Sequence, residues 1–206
     1  MPGTTRVMWH HGYVLSDGTP YPLRHRLSTH ARSAPVLNDH VLGLSEQESR
    51  SSCAAHELGH AVLWLTRGVH VVGLGIGVGR GGRAECGPPA PQQRLDWAIA
   101  VAAGERAQDR WLRETGLWTE DRAAFAELGA TSDRAQIFAA DPTPRPAFGD
   151  GGPDYAELHT LADHALDEHW DAILIAMPAL LREGWMTGDR LGAWVRTRNP
   201  APRHCL

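Results

Sequence analysis

The stretch CAAHELGHAVLWL, residues 53–65, constrains this chain more than any other. An α-helix turns once every 3.6 residues, so His56 and His60 stand on one face, a turn apart. Two imidazoles so placed can reach one metal ion, at about 2.0–2.1 Å each for zinc. Glu57 lies about 100° round the helix from His56, where it can act on a water without ligating the ion itself. Two ligands and a base make the H-E-x-x-H arrangement of zinc peptidases. The plainer alternative is a buried helix that carries two histidines and a glutamate by accident. The surroundings favour the metal. Ser51 or Ser52 can cap the helix, apolar AVLWL follows, and Gly68 can end it after Thr66. Gly59 removes bulk beside the site, at some cost in helix propensity.

A catalytic zinc takes three protein ligands and keeps one position open. The candidates for the third are Asp133, Glu105 and Asp109, together with Glu157, His159, His164, Glu168 and His169 near the end of the chain. Spacing alone does not choose among them. His159, His164 and His169 recur every five residues, which rotates round a helix and builds no single face. Cys53 reads as a small buried residue in preference to a thiolate ligand. Gly77, Gly79 and Gly82 match G-x-G-x-x-G, but Pro88 and Pro89 follow and no helix opens there, which removes the dinucleotide reading.

The predicted fold is mainly α with a small β-sheet or hairpin. VHVVGLGIGVG, from Val69, alternates and is β-branched, so it reads as a strand running into a glycine-rich turn. Residues 93–114 form a second helix with a stripe at Leu95, Ile99, Ala102 and Ala103. GATSDRAQIFAA opens a third at Gly129, and 155–182 form the last, its apolar face including Leu158, Leu161, Leu166, Ile173 and Leu180. Three segments result: an extension at 1–48 that straps onto the body or covers a cleft, a main domain at 49–195, and a tail at 196–206. In the extension, Asp17-Gly18 suits a hairpin turn. Its histidines, His10, His11, His25, His30 and His40, lack ligand spacing and read as solvated loop positions.

The net charge of −4 comes without a basic stripe, which argues against nucleic acid as a partner. Three cysteines without CxxC spacing argue against a disulfide scaffold and fit a reducing, cytoplasmic compartment. The longest apolar run, AILIAMPALL at 172–181, is ten residues against the roughly 20 of a membrane span, and the N-terminus lacks a signal peptide's apolar core. No membrane association is expected.

HELGHAV, then a strand with GRGGRAECG, then AAGERAQD, then GATSD come in an order that resembles the peptidase domain of FtsH-type AAA+ zinc metalloproteases. The resemblance spans about residues 50–192. HELGHA is specific to zinc peptidases broadly, and its combination with GATSD points to this family. The resemblance implies a zincin-like domain in which His56 and His60 are ligands, Glu57 the general base and Asp133 the third zinc ligand. The plainer role for Asp133 is a first-turn acid facing the helix dipole. Glu105 stands where the family usually has arginine and Gln108 where it has glutamate, so the packing of that helix is expected to depart from the family's. The chain carries no Walker motif, so the expected substrates are flexible polypeptides or small peptides, unless a separate partner unfolds them. Family domains assemble as hexamers, which leaves a homo-oligomer open here, although that ring belongs with the ATPase. VHVVGLGIG is either a strand that pairs with extended substrate or a plain core strand. The competing functions are a zinc-containing peptide-binding or regulatory protein without turnover, and a zinc hydrolase of a small amide or peptide natural product.

Overall fold

The computed structural model describes residues 10, 23–33, 41–77, 81–140 and 152–203. In chain order the elements are α1 (Thr29–Ser33), α2 (Glu46–Thr66), β1 (Val71–Ile76), β2 (Gly82–Cys86), α3 (Arg94–Glu114), α4 (Glu120–Gly129), α5 (Thr131–Ala140), α6 (Tyr155–Glu183), β3 (Trp185–Thr187) and α7 (Gly188–Val195). The fold is mainly helical with one small antiparallel sheet, as expected.

α2 starts earlier than a cap at Ser51 or Ser52 would allow. Ser45 accepts the Glu48 N–H at its side chain, and the Glu48 carboxylate accepts the Ser45 N–H in return. This capping box satisfies two backbone donors at once, so the helix begins there and Ser52 is left buried within it. The other end matches expectation: Gly68, at φ +75°, turns the chain after Thr66.

α2, α3 and α6 form the body. At Gly59 a Cβ would lie 2.7 Å from both the Ala103 carbonyl oxygen and the Ala107 Cβ, closer than real side chains come. Gly59 therefore serves the close approach of α2 to α3, a role other than making room beside the metal ligands. α3 is buried nearly all round from Ala98 to Ala107, and of the stripe expected on it only Leu95 is exposed. On α6, Leu158, Leu166, Ile173 and Leu180 are buried, whereas Leu161 faces out.

β1 is the middle strand, paired antiparallel with β2 on one side and β3 on the other. Both of its edges are taken, so the plain core-strand reading holds and β1 cannot accept a substrate strand. The Trp185 ring lies over Gly73 and Gly75, in the space their side chains would need.

α4 was not anticipated. Thr119 caps it, with Glu120 and Asp121 in its first turn, but its alanine-rich sequence carries only a weak apolar pattern. Leu23, Leu27 and Ala31 pack on Ala124 and Leu128 of this helix. Glu127 accepts hydrogen bonds from the Arg24 N–H (2.6 Å) and the His25 N–H (3.1 Å), and contacts His25 Nδ1 at 2.6 Å. Residues 23–33 thus strap onto the body, and His25 is a half-buried partner of Glu127, not a solvated loop histidine. His30 is exposed as expected, and His10 pairs with Leu23 through its backbone. His11, His40 and the expected turn at Asp17-Gly18 lie outside the described residues. The tail also docks: the Asn199 amide accepts from Val71 N–H and donates to Val71 C=O, both at 2.9 Å. Among the described residues, no helix is long and apolar enough to cross a membrane.

Candidate metal centre

His56, Glu57 and His60 face a cleft of about 570 Å³ bounded by α2, β2, α3, α4 and α5. Asp133, in the first turn of α5, enters it from the opposite wall. Among the described residues, His56, His60 and Asp133 are the one group of ligand-type side chains that converges closely enough to hold a metal ion.

Nε2 of His56, Nε2 of His60 and Oδ2 of Asp133 form a triangle with edges of 3.0, 3.0 and 3.3 Å. Ligand atoms about 2.0–2.1 Å from a tetrahedral ion stand about 3.3 Å apart, so the triangle has the size of one face of such a site. The tautomers point the same way. His60 Nδ1 donates to the Ala100 carbonyl at 2.9 Å. Gln108 donates its Nε2 to Ser52 Oγ at 2.9 Å, which leaves its Oε1 to accept from His56 Nδ1 at 3.2 Å. Each neutral ring therefore turns an unprotonated Nε2 toward the other and toward a carboxylate. Three electron-pair donors aimed at one spot repel unless a cation sits among them. Without an ion a proton takes that role: burial disfavours charge on His60, but the Asp133 carboxylate outweighs it and lifts the pKa to about 9. Burial alone would raise the Asp133 carboxyl, yet His60 and His56 beside it hold it well below the usual range.

Two glycines make the room. A Cβ on Gly104 of α3 would overlap His60 Nε2 and Cε1 and come within 2.8 Å of His56 Nε2. A Cβ on Gly82 of β2 would overlap the Glu57 carboxylate and lie 2.7 Å from Cys53 Sγ. Glu57 is 6% exposed and accepts the Ala84 N–H. Burial is the largest influence on its carboxyl and pushes it above the usual range, against the pull of His56 and His60.

Gln108 holds His56 in the tautomer that turns its unprotonated Nε2 into the cleft, while Ser52 holds Gln108. Replacing Gln108 with Ala is expected to weaken metal binding about 10–100-fold, as loss of such supporting partners does elsewhere. A chelator-competition titration checks it, and unchanged affinity would remove Gln108 from the site.

The other ligand candidates lie elsewhere. Glu105 and His159 face each other at 3.0 Å, both buried. Asp109 is bound by Arg106, Arg113 and the Trp118 indole. Glu157 belongs to the capping box of α6, His164 and Glu168 are exposed and His169 is half-buried. Cys53 is half-buried and lines the cleft without joining the ligand group. Gly77 N–H donates to the Gly81 carbonyl where β1 and β2 meet, and Gly79, the middle glycine of the G-x-G-x-x-G match, lies outside the described residues. Sequence reasoning missed Gly104, Gly82 and Ser52. A lone glycine inside the alanine-rich run AVAAGERA was the one visible signal, because it costs helix propensity and so implies a close approach.

No protein-family model matches this chain, and no curated protein matches it.

Proposed function

We propose that this chain is a zinc-dependent metallopeptidase that hydrolyses peptide bonds in flexible polypeptides or small peptides. The observation that carries the reading is the convergence of two imidazole lone pairs and a carboxylate at 3.0–3.3 Å, with a buried carboxylate on the residue after the first ligand. Two nitrogen donors and one oxygen donor suit zinc better than calcium or magnesium, which take oxygen shells. The order of HELGHA, GRGGRAECG, AAGERAQD and GATSD adds the resemblance to FtsH-type peptidase domains. That resemblance supports a zincin-like plan, from which the chain departs in residue type at Glu105 and Gln108.

A bound zinc ion would supply Lewis acidity toward a peptide carbonyl and make a water more acidic. His56 and His60 hold that position from one helix face and Asp133 closes it from α5. Glu57 takes the proton of the attacking water on its carboxylate and passes it to the leaving amine. Its raised pKa suits both halves of that transfer, because the carboxyl must accept a proton and then release it. Gly82 lets β2 lie against this carboxylate, and the Ala84 N–H orients it.

The substrate reading rests on β2. It has β1 on one side and no strand partner on the other among the described residues, and Gly81–Cys86 line the cleft as six consecutive residues. An extended peptide can pair with such an edge through its backbone, which selects for flexible chain rather than for one side chain. A small-amide hydrolase would call for a pocket closed over by the N-terminal segment. Of that segment, none of the described residues 23–33 lines the cleft. A zinc-containing binding protein would share the groove but has no use for a buried carboxylate at Glu57.

The test is mass-spectrometric profiling of an unstructured peptide library incubated with zinc-loaded and with chelated protein. Cuts that require zinc are expected. Zinc binding without any cut would turn the assignment toward the peptide-binding reading.

A further inference from the structure

Behind the ligands lies a second set of buried charges that hydrolysis does not use. Glu105 of α3, Glu127 of α4 and Arg134 of α5 are each only 2–3% exposed. Burial of a charge is tolerated only where partners meet it, so these groups fix one another's positions. Arg134 follows Asp133 directly, about 100° further round α5. Whatever grips Arg134 therefore sets the direction in which Asp133 points.

The grip comes from α6 and α4, with α3 bracing it from behind. The Arg134 guanidinium carbon lies 4.6 Å from the centre of the Tyr155 ring on α6. Its Nη2 stands 4.0 Å from Glu127 Oε2 on α4. The Tyr155 hydroxyl donates to Glu105 Oε2 at 3.2 Å, and Glu105 faces His159 at 3.0 Å. Burial would raise the Glu105 carboxyl, but His159, Arg134 and Arg106 around it draw it below the usual carboxylate range. Of the ten residues of α5, Arg134 and Ile137 are the buried ones among the side chains described. Glu127, the α4 end of this set, also binds Arg24 and His25 of the N-terminal segment.

We propose that Arg134 is a positioning residue for the metal centre. Held by Tyr155 and Glu127, with Glu105 fixing the Tyr155 hydroxyl behind them, it sets the rotation of α5 that brings Asp133 to His56 and His60. The N-terminal segment, through Glu127, belongs to the same lock. The inference rests on the metal-centre reading above.

The test compares the full chain with R134M, E127Q, R106M and D133A. Arg106 is the control: it is a buried cation that ties α3 to α6; its charge reaches Glu105, but its ion pairs are with Asp163 and Asp109 rather than with Arg134, Glu127 or Tyr155. Zinc affinity is measured by competition with a chromophoric chelator, coordination by the visible absorption of the cobalt(II)-loaded protein, and folding by circular dichroism. R134M is expected to bind zinc about 10–100-fold more weakly, with its cobalt spectrum moved toward that of D133A. E127Q should shift in the same direction and supplies the reading if R134M does not fold. R106M should lower Tm without changing zinc affinity. Wild-type affinity and spectrum in a folded R134M or E127Q would overturn the proposal while leaving the metal centre standing. An equal loss in R106M for the same fall in Tm would overturn it too. Failure of the wild-type chain to bind zinc would overturn the metal reading itself.

Discussion

Replacing Glu57 with Gln is expected to leave zinc binding unchanged and to lower peptide hydrolysis by about 10²–10⁴-fold, the range that one general base contributes. The side chain keeps its shape, so Gly82 and the Ala84 N–H still have a group to pack on and to bond. The amide loses the ability to take a proton from water, and with it the second transfer to the leaving amine. Because Glu57 is not one of the three converging ligands, metal content should not follow activity. The measurement pairs metal analysis with the rate of cleavage of one peptide taken from the library. Loss of zinc along with activity would sink the division of roles between Glu57 and the histidines. Unchanged turnover would move the base to another group.

Gly104→Ala should weaken zinc binding by about 100-fold. In the interior of an ordinary helix this change stabilises by roughly 0.5–1 kcal/mol, because alanine loses less backbone freedom on folding than glycine. In α3 the new methyl group would occupy the place of His60 Nε2 and Cε1 and press on His56 Nε2. His60 cannot easily give way, since its Nδ1 is tied to the Ala100 carbonyl and its ring stacks on Trp64. The variant should therefore be folded, and more helical by propensity, yet poor in zinc. Thermal melts in chelator and zinc titrations separate the two effects. Normal affinity in Gly104→Ala would mean that the histidines ligate from some other position.

How much of this could be read from residues alone differs by element. The α2 helix and its two histidines were legible because i, i+4 spacing is local geometry and requires no knowledge of the rest of the chain. Its first turn was legible too, in S-x-x-E at 45–48, but the serines nearer the histidines are equally good caps by type. Asp133 was a candidate among eight, and what separates it from Glu105 and His159 is the path of α4 and α5, set by long-range packing. β1 shows why a pattern identifies a strand but not its neighbours. The strand is where the pattern put it, although its burial stops alternating after Val72, while β3, which fills its second edge, comes after four further helices. Gly59 was noticed for the wrong reason, since a glycine beside a histidine in sequence can face another helix entirely. Leu95 and Leu161 fit an apolar period but lie where none of the described elements covers them.

That placement of β3 has a consequence for how the chain reaches its folded form. β1 and β2 are neighbours in sequence and can pair early, as a hairpin. The other edge of β1 then waits, as an uncovered row of amides and carbonyls beside Val71, Leu74 and Ile76, until residues 185–187 arrive. An open apolar edge is a template for joining strands from another molecule. The glycines beneath Trp185 leave that edge without side chains that would shield it. The arrival of β3, with the Asn199 clamp on Val71 following it, is then the step that commits the sheet to its own chain. Crowded nascent or refolding chains would be most prone to stick together before that step, through β1 and independently of whether any metal is bound.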